Sequence, residues 1–167
     1  MTEIKYKVGD LFADIDDEDR VMIAHCCNNL GRMGSGFVVP LMNRWPHVRD
    51  LYIEWHQRGK WQLYSNDENS TIPFELGQTQ FLRATPTVLV ANMIGQDGVI
   101  GPNNPHPLRY DAIEACIKSV GENASNQHKL MCPRFGAGLA GGKWEKIEPM
   151  IKEHWCQRNL DVTIYSI

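Results

Sequence analysis

Two glycine-rich segments constrain the fold of this chain more than any other feature of its sequence. The first, NNLGRMGSG, spans residues 28–36 and follows the apolar run VMIAHCC at residues 21–27. The second spans residues 134–142 and follows a short apolar run at residues 130–132. A helical pattern begins directly after each segment. Because a continuous apolar run is typical of a strand buried on both faces of a sheet, each segment is predicted to join a buried strand to a helix.

The other periodicities repeat this alternation of strands and helices along the chain. Strands are predicted at residues 5–8, 21–27, 78–83, 87–93, 130–132 and 162–167. Helices are predicted at residues 37–45, 46–58, 108–120 and 144–155, and a polar loop at residues 65–75. The alternation indicates a single α/β domain over residues 1–167, with three α/β/α layers and a mixed sheet of roughly six strands.

The charge balance and the hydropathy pattern exclude several classes of protein. A net charge of −3 over 167 residues offers no extended basic surface for nucleic acid, although one bound nucleotide needs only a few local donors. No apolar stretch reaches the length of a membrane span, and the N-terminal segment lacks a secretory pattern. The 5 cysteines form no CxxC pair and are predicted to be free thiols. We therefore expect a cytoplasmic protein without metal or cofactor, and we expect a monomer.

Glycine loops in this context are suited to binding anions. Glycine permits positive φ and a close approach of the backbone to a ligand, and the helix that follows offers free N–H groups. Two such loops would hold a diphosphate between them without Lys or Arg; the alternative is that both are merely tight connections. The second loop contains GAGLAG, which matches the GxGxxG fingerprint, but too little chain follows it for a dinucleotide-binding unit.

In order and content, the two loops resemble those of the macro domain family. The matching segments are VGDLF at residues 8–12, AHCCNNLGRMGSGF at 24–37, CPRFGAGLAGGKWEKIEPMI at 132–151 and VTIYSI at 162–167. The resemblance extends over nearly the whole chain and is strongest to the branch with terminal ADP-ribose glycohydrolases and ADP-ribose-1″-phosphate phosphatases. It implies that the protein binds ADP-ribose or a derivative, either free or attached to a macromolecule.

This resemblance also implies a binding role for residues of the first turn and of both loops. By similarity, the Asp10 carboxylate accepts a hydrogen bond from the adenine amino group, with Leu11 beside it. The first loop would enclose the distal ribose and the diphosphate, and the second loop would enclose the diphosphate from the other side. The residues concerned are Arg32, Met33, Gly34, Ser35, Gly36 and Phe37 in the first loop, and Arg134, Phe135, Gly136, Ala137, Gly138 and Leu139 in the second.

At two positions that carry chemistry, the sequence departs from the glycohydrolase members it resembles. Where they have a nucleophilic Lys this chain has Gln96, and where some have an Asp after the second loop it has Ala140. A covalent mechanism through Lys therefore lacks its nucleophile. The remaining catalytic candidates are His25, Asn28 and Asp97, which would help a water molecule to attack. Their structural alternatives are a hydrogen-bonded core His, a turn-forming Asn and an exposed loop Asp.

Taken with the resemblance, these residues predict a hydrolase that acts on an ADP-ribose derivative. The best-matched activity is phosphatase action on ADP-ribose-1″-phosphate. Two alternatives stay open: a non-catalytic reader of ADP-ribose, and a glycohydrolase that removes ADP-ribose from macromolecules while the diphosphate of the substrate activates water.

Overall fold

A six-stranded mixed sheet forms the centre of the structure, a computed structural model that describes residues 1–62 and 71–166. Its strands are β1 (Lys5–Val8), β2 (Val21–Asn28), β5 (Thr79–Arg83), β6 (Val88–Gln96), β7 (Lys129–Pro133) and β8 (Asp161–Ser166). Their spatial order is β1-β8-β7-β2-β6-β5. Only β5 is antiparallel to its neighbour in this sheet. Two further strands, β3 (Lys60–Gln62) and β4 (Thr71–Pro73), pair with each other in a small antiparallel sheet.

Four helices cover the two faces of the central sheet. They are α1 (Val38–Arg44), α2 (Pro46–Arg58), α3 (Tyr110–Asn123) and α4 (Trp144–His154). On β2, Met22 and Ala24 join the core formed with α3 and α4, whereas Ile23 joins the core formed with α1 and α2. Successive strand side chains point to opposite faces, so an apolar run is buried only between two layers of helices. The predicted three-layer α/β/α architecture is confirmed.

The boundaries of α2 illustrate how local sequence determines the helices. Pro46 occupies the first turn, where its missing N–H costs no hydrogen bond. Gly59 ends the helix with φ at +74°, a left-handed conformation that glycine adopts without steric cost. Both ends coincide with the prediction from the sequence.

An acidic segment at residues 14–19 forms ion pairs with the edge strand β1 and with the first residue of β7. Asp14 forms an ion pair with Lys7 at 2.6 Å, and Asp19 forms one with Lys129 at 3.0 Å. The hydrogen bond from Lys7, reinforced by that from Tyr165, lowers the pKa of the Asp14 carboxyl. The edge strand β1 is exposed along its length, and its lysines discourage pairing with a strand of another molecule.

Two predictions differ from the structure. The strand predicted at residues 87–93 extends to Gln96 in β6, because Ile94 and Gly95 are buried as well. In the predicted loop at residues 65–75, residues 71–73 form β4, whereas residues 65–70 lie outside the described residues. Among the helices described, none has the length and apolar character needed to span a membrane.

Candidate functional site

Three adjoining cavities lie along the carboxyl ends of β2, β6 and β7, the edge at which open α/β sheets bind ligands. We call them the proximal, middle and distal cavities; their volumes are about 400, 230 and 330 Å³. The proximal cavity is lined by Val8, Gly9, Asp10, Leu11, Phe12, Phe37, Pro40, Pro133 and Tyr165. The middle cavity is lined by His25, Cys26, Ser35, Gly36, Phe37, Val38, Gln96, Pro133, Arg134, Phe135, Gly136, Gly138, Leu139 and Ala140. The distal cavity is lined by Cys26, Cys27, Asn28, Arg32, Met33, Gly34, Ser35, Val38, Gln96, Val99, Ile100 and Leu139.

Shared lining residues place the three cavities in a row. Phe37 and Pro133 line both the proximal and the middle cavity. Ser35, Gln96 and Leu139 are among the residues that line both the middle and the distal cavity. The row therefore passes between the two glycine loops, so the structure brings the two predicted loops together at one cleft.

Asn28, at the end of β2, organises the first loop. Its Oδ1 accepts hydrogen bonds from the backbone N–H groups of Leu30 at 2.9 Å and Arg32 at 3.3 Å. Its Nδ2 donates to the carbonyl of Arg32 at 2.7 Å, and the Tyr52 hydroxyl donates to the Asn28 backbone carbonyl at 2.5 Å. The amide is thus occupied by the turn itself, which favours the turn-forming role over water activation.

Glycines determine the tight path of the second loop. The N–H of Gly142 donates to the carbonyl of Gly136 at 2.8 Å, which closes the loop on itself. A Cβ at Gly142 would lie 2.4 Å from that carbonyl oxygen, so no larger residue fits there. A second contact joins this loop to the segment before α3: the carbonyl of Ala140 accepts a hydrogen bond from the N–H of Leu108 at 3.0 Å.

Backbone N–H groups without partners lie on both sides of the cleft. In the described part of the chain, the loop amides that donate no hydrogen bond to protein include those of Gly34, Ser35, Gly36, Gly138, Leu139 and Ala140. All six residues line the middle or the distal cavity. Unpaired amides on two facing loops are the arrangement that binds a phosphate or diphosphate group.

His25 lies at the wall of the middle cavity but is only 1% exposed. Its Nε2 lies 2.5 Å from Oδ1 of Asn92, a buried residue of the neighbouring strand β6. Burial lowers the pKa of His25 to about 4, an effect that the hydrogen bond with Asn92 only partly opposes. The ring is therefore neutral near pH 7, and it is a weak base for proton transfer.

Asp97 follows β6 but is absent from the residues that line the three cavities. Its Oδ1 accepts a hydrogen bond from Nδ2 of Asn29 at 3.0 Å, and its Oδ2 lies 3.7 Å from the guanidinium of Arg109. Asn29 in turn accepts from the N–H of Gly98 at 2.8 Å. These contacts join the first loop to the segment after β6, a structural role that the geometry favours over that of a general base.

The wall of the proximal cavity combines a polar residue and an aromatic ring of the first turn with an aromatic ring of the first loop. Oδ1 of Asp10 accepts from the N–H of Phe12 at 2.9 Å, and the carboxylate lies in the cavity wall. The rings of Phe12 and Phe37 stack with their centroids 5.7 Å apart. Leu11 is buried beside them. This wall provides both a flat apolar surface and a hydrogen-bond acceptor.

The two predicted arginines have different surroundings. The guanidinium of Arg134 lies over the rings of Tyr6 and Trp144, at 5.1 and 5.5 Å from their centroids, and its Nε donates to Oγ of Ser166. Its side chain thus stabilises the base of the second loop. Arg32, by contrast, is the charged residue in the lining of the distal cavity, which contains no carboxylate among the described residues.

Several residues at the cleft were not identified from the sequence. Gln96 lines two cavities, and the exposed apolar residues Val99 and Ile100 line the distal one. An apolar pair inside a loop rich in Gly and Pro is a signal that would have identified the latter two. Cys26 also lines two cavities, and burial raises the pKa of its thiol, so it is a poor nucleophile.

One group of possible metal ligands lies elsewhere in the described residues. The side chains of Glu114, Glu153 and His154 approach one another within 4.8 Å, between α3 and the end of α4. None of them lines the three cavities. Contacts of the His154 ring with the two carboxylates, at 3.2 Å from Glu114 and 3.7 Å from Glu153, account for the arrangement.

Solved structures resemble the chain over its whole length. A macrodomain protein from Streptomyces coelicolor is 37% identical, with coverage of 99% of both chains and a TM-score of 0.77. A protein of unknown function from Bacteroides thetaiotaomicron is 36% identical, with the same coverage and a TM-score of 0.83. No family model matches the chain.

Curated proteins are more distant in sequence. The ADP-ribose 1″-phosphate phosphatase of Candida albicans is 24% identical over 98% of this chain and 99% of its own length. The human ADP-ribose glycohydrolase OARD1 is 21% identical over 99% of this chain and 93% of its own length.

Proposed function

The chain belongs to the macrodomain family, and from this membership we propose that its row of three cavities binds ADP-ribose or a derivative. The names of two relatives, an ADP-ribose 1″-phosphate phosphatase and an ADP-ribose glycohydrolase, support the same ligand class. In this proposal the adenine occupies the proximal cavity, the diphosphate lies between the glycine loops, and the terminal ribose reaches the distal cavity.

The two facing sets of unpaired loop amides carry the proposal. These backbone N–H groups can donate to the oxygens of a diphosphate. They take up less space than Lys or Arg side chains would, which suits the small volume of the middle cavity. In the proximal cavity, the Asp10 carboxylate would accept from the adenine amino group while Leu11 and Phe37 contact the base. Met33 and the neighbouring first-loop residues would enclose the terminal ribose.

For the reaction, we propose hydrolysis of a terminal phosphate monoester, ADP-ribose-1″-phosphate. Arg32 is the charged residue in the distal lining, so this cavity favours an anion over a cation. A water oxygen would attack phosphorus as the bond to the sugar oxygen breaks. ADP-ribose and inorganic phosphate would leave, and a proton from the water would pass to the leaving oxygen. Charge stabilisation by Arg32 and the loop amides would be the main contribution of the protein.

A non-catalytic reader is the second candidate function. It is favoured by the engagement of His25, Asn28 and Asp97 in contacts within the protein, which leaves no strong base in the described lining of the distal cavity. A glycohydrolase is the third candidate. It would have to proceed without a Lys, since none lines the three cavities in the described chain.

Three assays with the same protein preparation separate these functions. Release of inorganic phosphate from ADP-ribose-1″-phosphate supports the phosphatase, and release of ADP-ribose from modified protein or DNA supports the glycohydrolase. Calorimetric binding of ADP-ribose without turnover of any substrate supports the reader.

Substitution of Arg32 tests the assigned role of the distal cation. Arg32→Ala should reduce phosphate release at least about tenfold, whereas Arg58→Ala, which removes an exposed helix cation paired with Glu54, should leave it unchanged. Equal phosphate release by both variants would remove Arg32 from the mechanism. Absence of ADP-ribose binding by the unmodified protein would overturn the proposed ligand class.

A further inference from the structure

Three buried polar side chains form a ladder across adjacent strands beneath the middle cavity. His25 of β2, Asn92 of β6 and Gln80 of β5 are register partners, and each is at most 1% exposed. Nε2 of His25 lies 2.5 Å from Oδ1 of Asn92, and Nδ2 of Asn92 donates to Oε1 of Gln80 at 2.8 Å. The ladder ends where Nε2 of Gln80 donates to the backbone carbonyl of Leu51 in α2, at 3.0 Å.

The backbone carbonyl at the end of the ladder determines the orientation of every group before it. A carbonyl can only accept, so Gln80 must present its NH₂ group to Leu51 and its oxygen to Asn92. Asn92 must therefore present its NH₂ group to Gln80 and its oxygen to His25. Because that oxygen also only accepts, Nε2 of His25 carries the proton.

A neutral imidazole protonated at Nε2 has an unprotonated Nδ1 that can only accept a hydrogen bond. Within the described chain, the thiol of Cys27 lies beside the ring, with Sγ 3.9 Å from Nδ1 and 3.8 Å from Nε2. A thiol is a weak donor, so it does not satisfy Nδ1 as an acceptor. The ring lies 5.8 Å from that of Phe37, and both residues line the middle cavity.

We propose that Asn92 and Gln80 are positioning residues that hold His25 as the Nε2–H tautomer, so that Nδ1 accepts a hydrogen bond from a hydroxyl group or a water molecule in the middle cavity. The proposal rests on the proposed function, because it places a ribose hydroxyl of an ADP-ribose-type ligand, or a water beside it, against His25. It also excludes a phosphate oxygen from that position, since two acceptors repel each other.

The surroundings of the ring are consistent with a neutral acceptor. Burial and the hydrogen bond with Asn92 account for the shift of its pKa, and no charged group contributes to it. The titratable groups on the same strand are the thiols of Cys26 and Cys27, whose pKa values burial raises, so that both stay neutral. His25 therefore keeps its acceptor throughout the neutral pH range.

Nitrogen NMR of histidine-labelled protein tests the tautomer directly. The chain has 6 histidines, and the signals of His25 are those lost in His25→Gln. At pH 7 the free protein should show Nε2 protonated and Nδ1 unprotonated, and saturating ADP-ribose should shift the Nδ1 resonance. A protonated Nδ1 in the free protein would overturn the proposal. So would calorimetric binding of ADP-ribose that leaves Nδ1 unmoved.

The outcomes distinguish this inference from the proposed function. If calorimetry detects no binding of ADP-ribose, the proposed function fails and the acceptor role fails with it, whereas the tautomer is still decided in the free protein. If binding occurs without a response at Nδ1, only the inference fails.

Two ladder variants and one matched control test the positioning role. Gln80→Leu frees the Asn92 amide to rotate and should produce a mixture of the two His25 tautomers. Asn92→Asp places a carboxylate beside Nε2 and should make His25 an imidazolium at pH 7, which gives ADP-ribose affinity a pH dependence that the parent protein lacks. Thr79→Val removes a buried hydroxyl of β5 that takes no part in the ladder, and should leave both readouts unchanged. Unchanged His25 nitrogens in both ladder variants would contradict the proposal.

Discussion

Gly36 and Leu139 face each other across the cleft, so closely that a Cβ on Gly36 would lie 3.3 Å from Cδ1 of Leu139. The first residue belongs to the loop after β2 and the second to the loop after β7. Their proximity shows that the two loops converge.

Replacing Gly36 with alanine should weaken ADP-ribose binding. Its φ is +80°, a conformation that costs an L-residue roughly 1–2 kcal/mol, and the added Cβ would press on Leu139. In the free protein the loop can relieve this strain by moving away from Leu139, and binding must restore it. We therefore expect an affinity loss of about tenfold by calorimetry, since 1.4 kcal/mol corresponds to that factor. Gly59→Ala is the matched control, because its φ is +74° but it caps α2 outside the cleft. It should lower stability and leave affinity intact; equal affinity in both variants would show that the loop contact does not shape the site.

Removing the side-chain amide of Asn28 should disorganise the first loop. Asn28→Ala leaves the N–H groups of Leu30 and Arg32 without their acceptor, at a cost of about 2 kcal/mol in the free energy of unfolding. ADP-ribose affinity should fall as well, because the loop amides lose their fixed direction. Urea denaturation and calorimetry measure the two effects, with Asn43→Ala, an exposed position of α1, as control. Normal stability in Asn28→Ala would contradict the organising role.

The free energy of unfolding should decrease as the pH falls below the ordinary pKa of a histidine side chain. The pKa of His25 is about 4 in the folded protein and 6.5 in the unfolded chain, so the unfolded chain binds more protons between these values. The stabilisation is therefore complete above pH 6.5 and is lost progressively toward pH 4, on the order of 3 kcal/mol in total. Urea unfolding at several pH values should give a flatter pH dependence for His25→Gln than for the parent protein. Parallel curves would show that His25 does not titrate in this way.

Arg134 should affect stability more than ligand affinity. Its guanidinium packs between Tyr6 and Trp144, and such cation–π contacts contribute about 1 kcal/mol each. Arg134→Ala should therefore lower the thermal midpoint while ADP-ribose affinity changes less than about threefold. A large loss of affinity at unchanged stability would mean that the guanidinium contacts the ligand instead.

The three α/β/α layers and the convergence of the two glycine loops could be predicted from the sequence, because both follow from local patterns. The run at residues 21–27 alternates between two helical layers, and strands that end in glycine loops meet at one edge of a parallel sheet. The small sheet of β3 and β4 was missed, since strands of 3 residues are too short to show a period.

The state of the candidate catalytic residues was not predictable, because it depends on partners distant in the chain. Asn29 and Asp97 are 68 residues apart, and His25 and Asn92 are 67 apart. A sequence displays that a side chain is polar, but the fold decides whether its hydrogen-bonding atoms are consumed inside the protein. The burial of His25 shows the same limit, since a strand position next to a loop is compatible with either an exposed or a covered ring.

The anchoring of the segment after β6 by side chains other than Val99 and Ile100 has a consequence for how the distal cavity can evolve. Asp97, Asn29 and Arg109 hold this segment at its two ends, so Val99 and Ile100 project from a frame that does not depend on them. Exchange of these two side chains would alter what the distal cavity accepts, while the proximal cavity, where we propose that adenine binds, keeps its lining. Selection for a new substrate can therefore act on a dipeptide without endangering the fold.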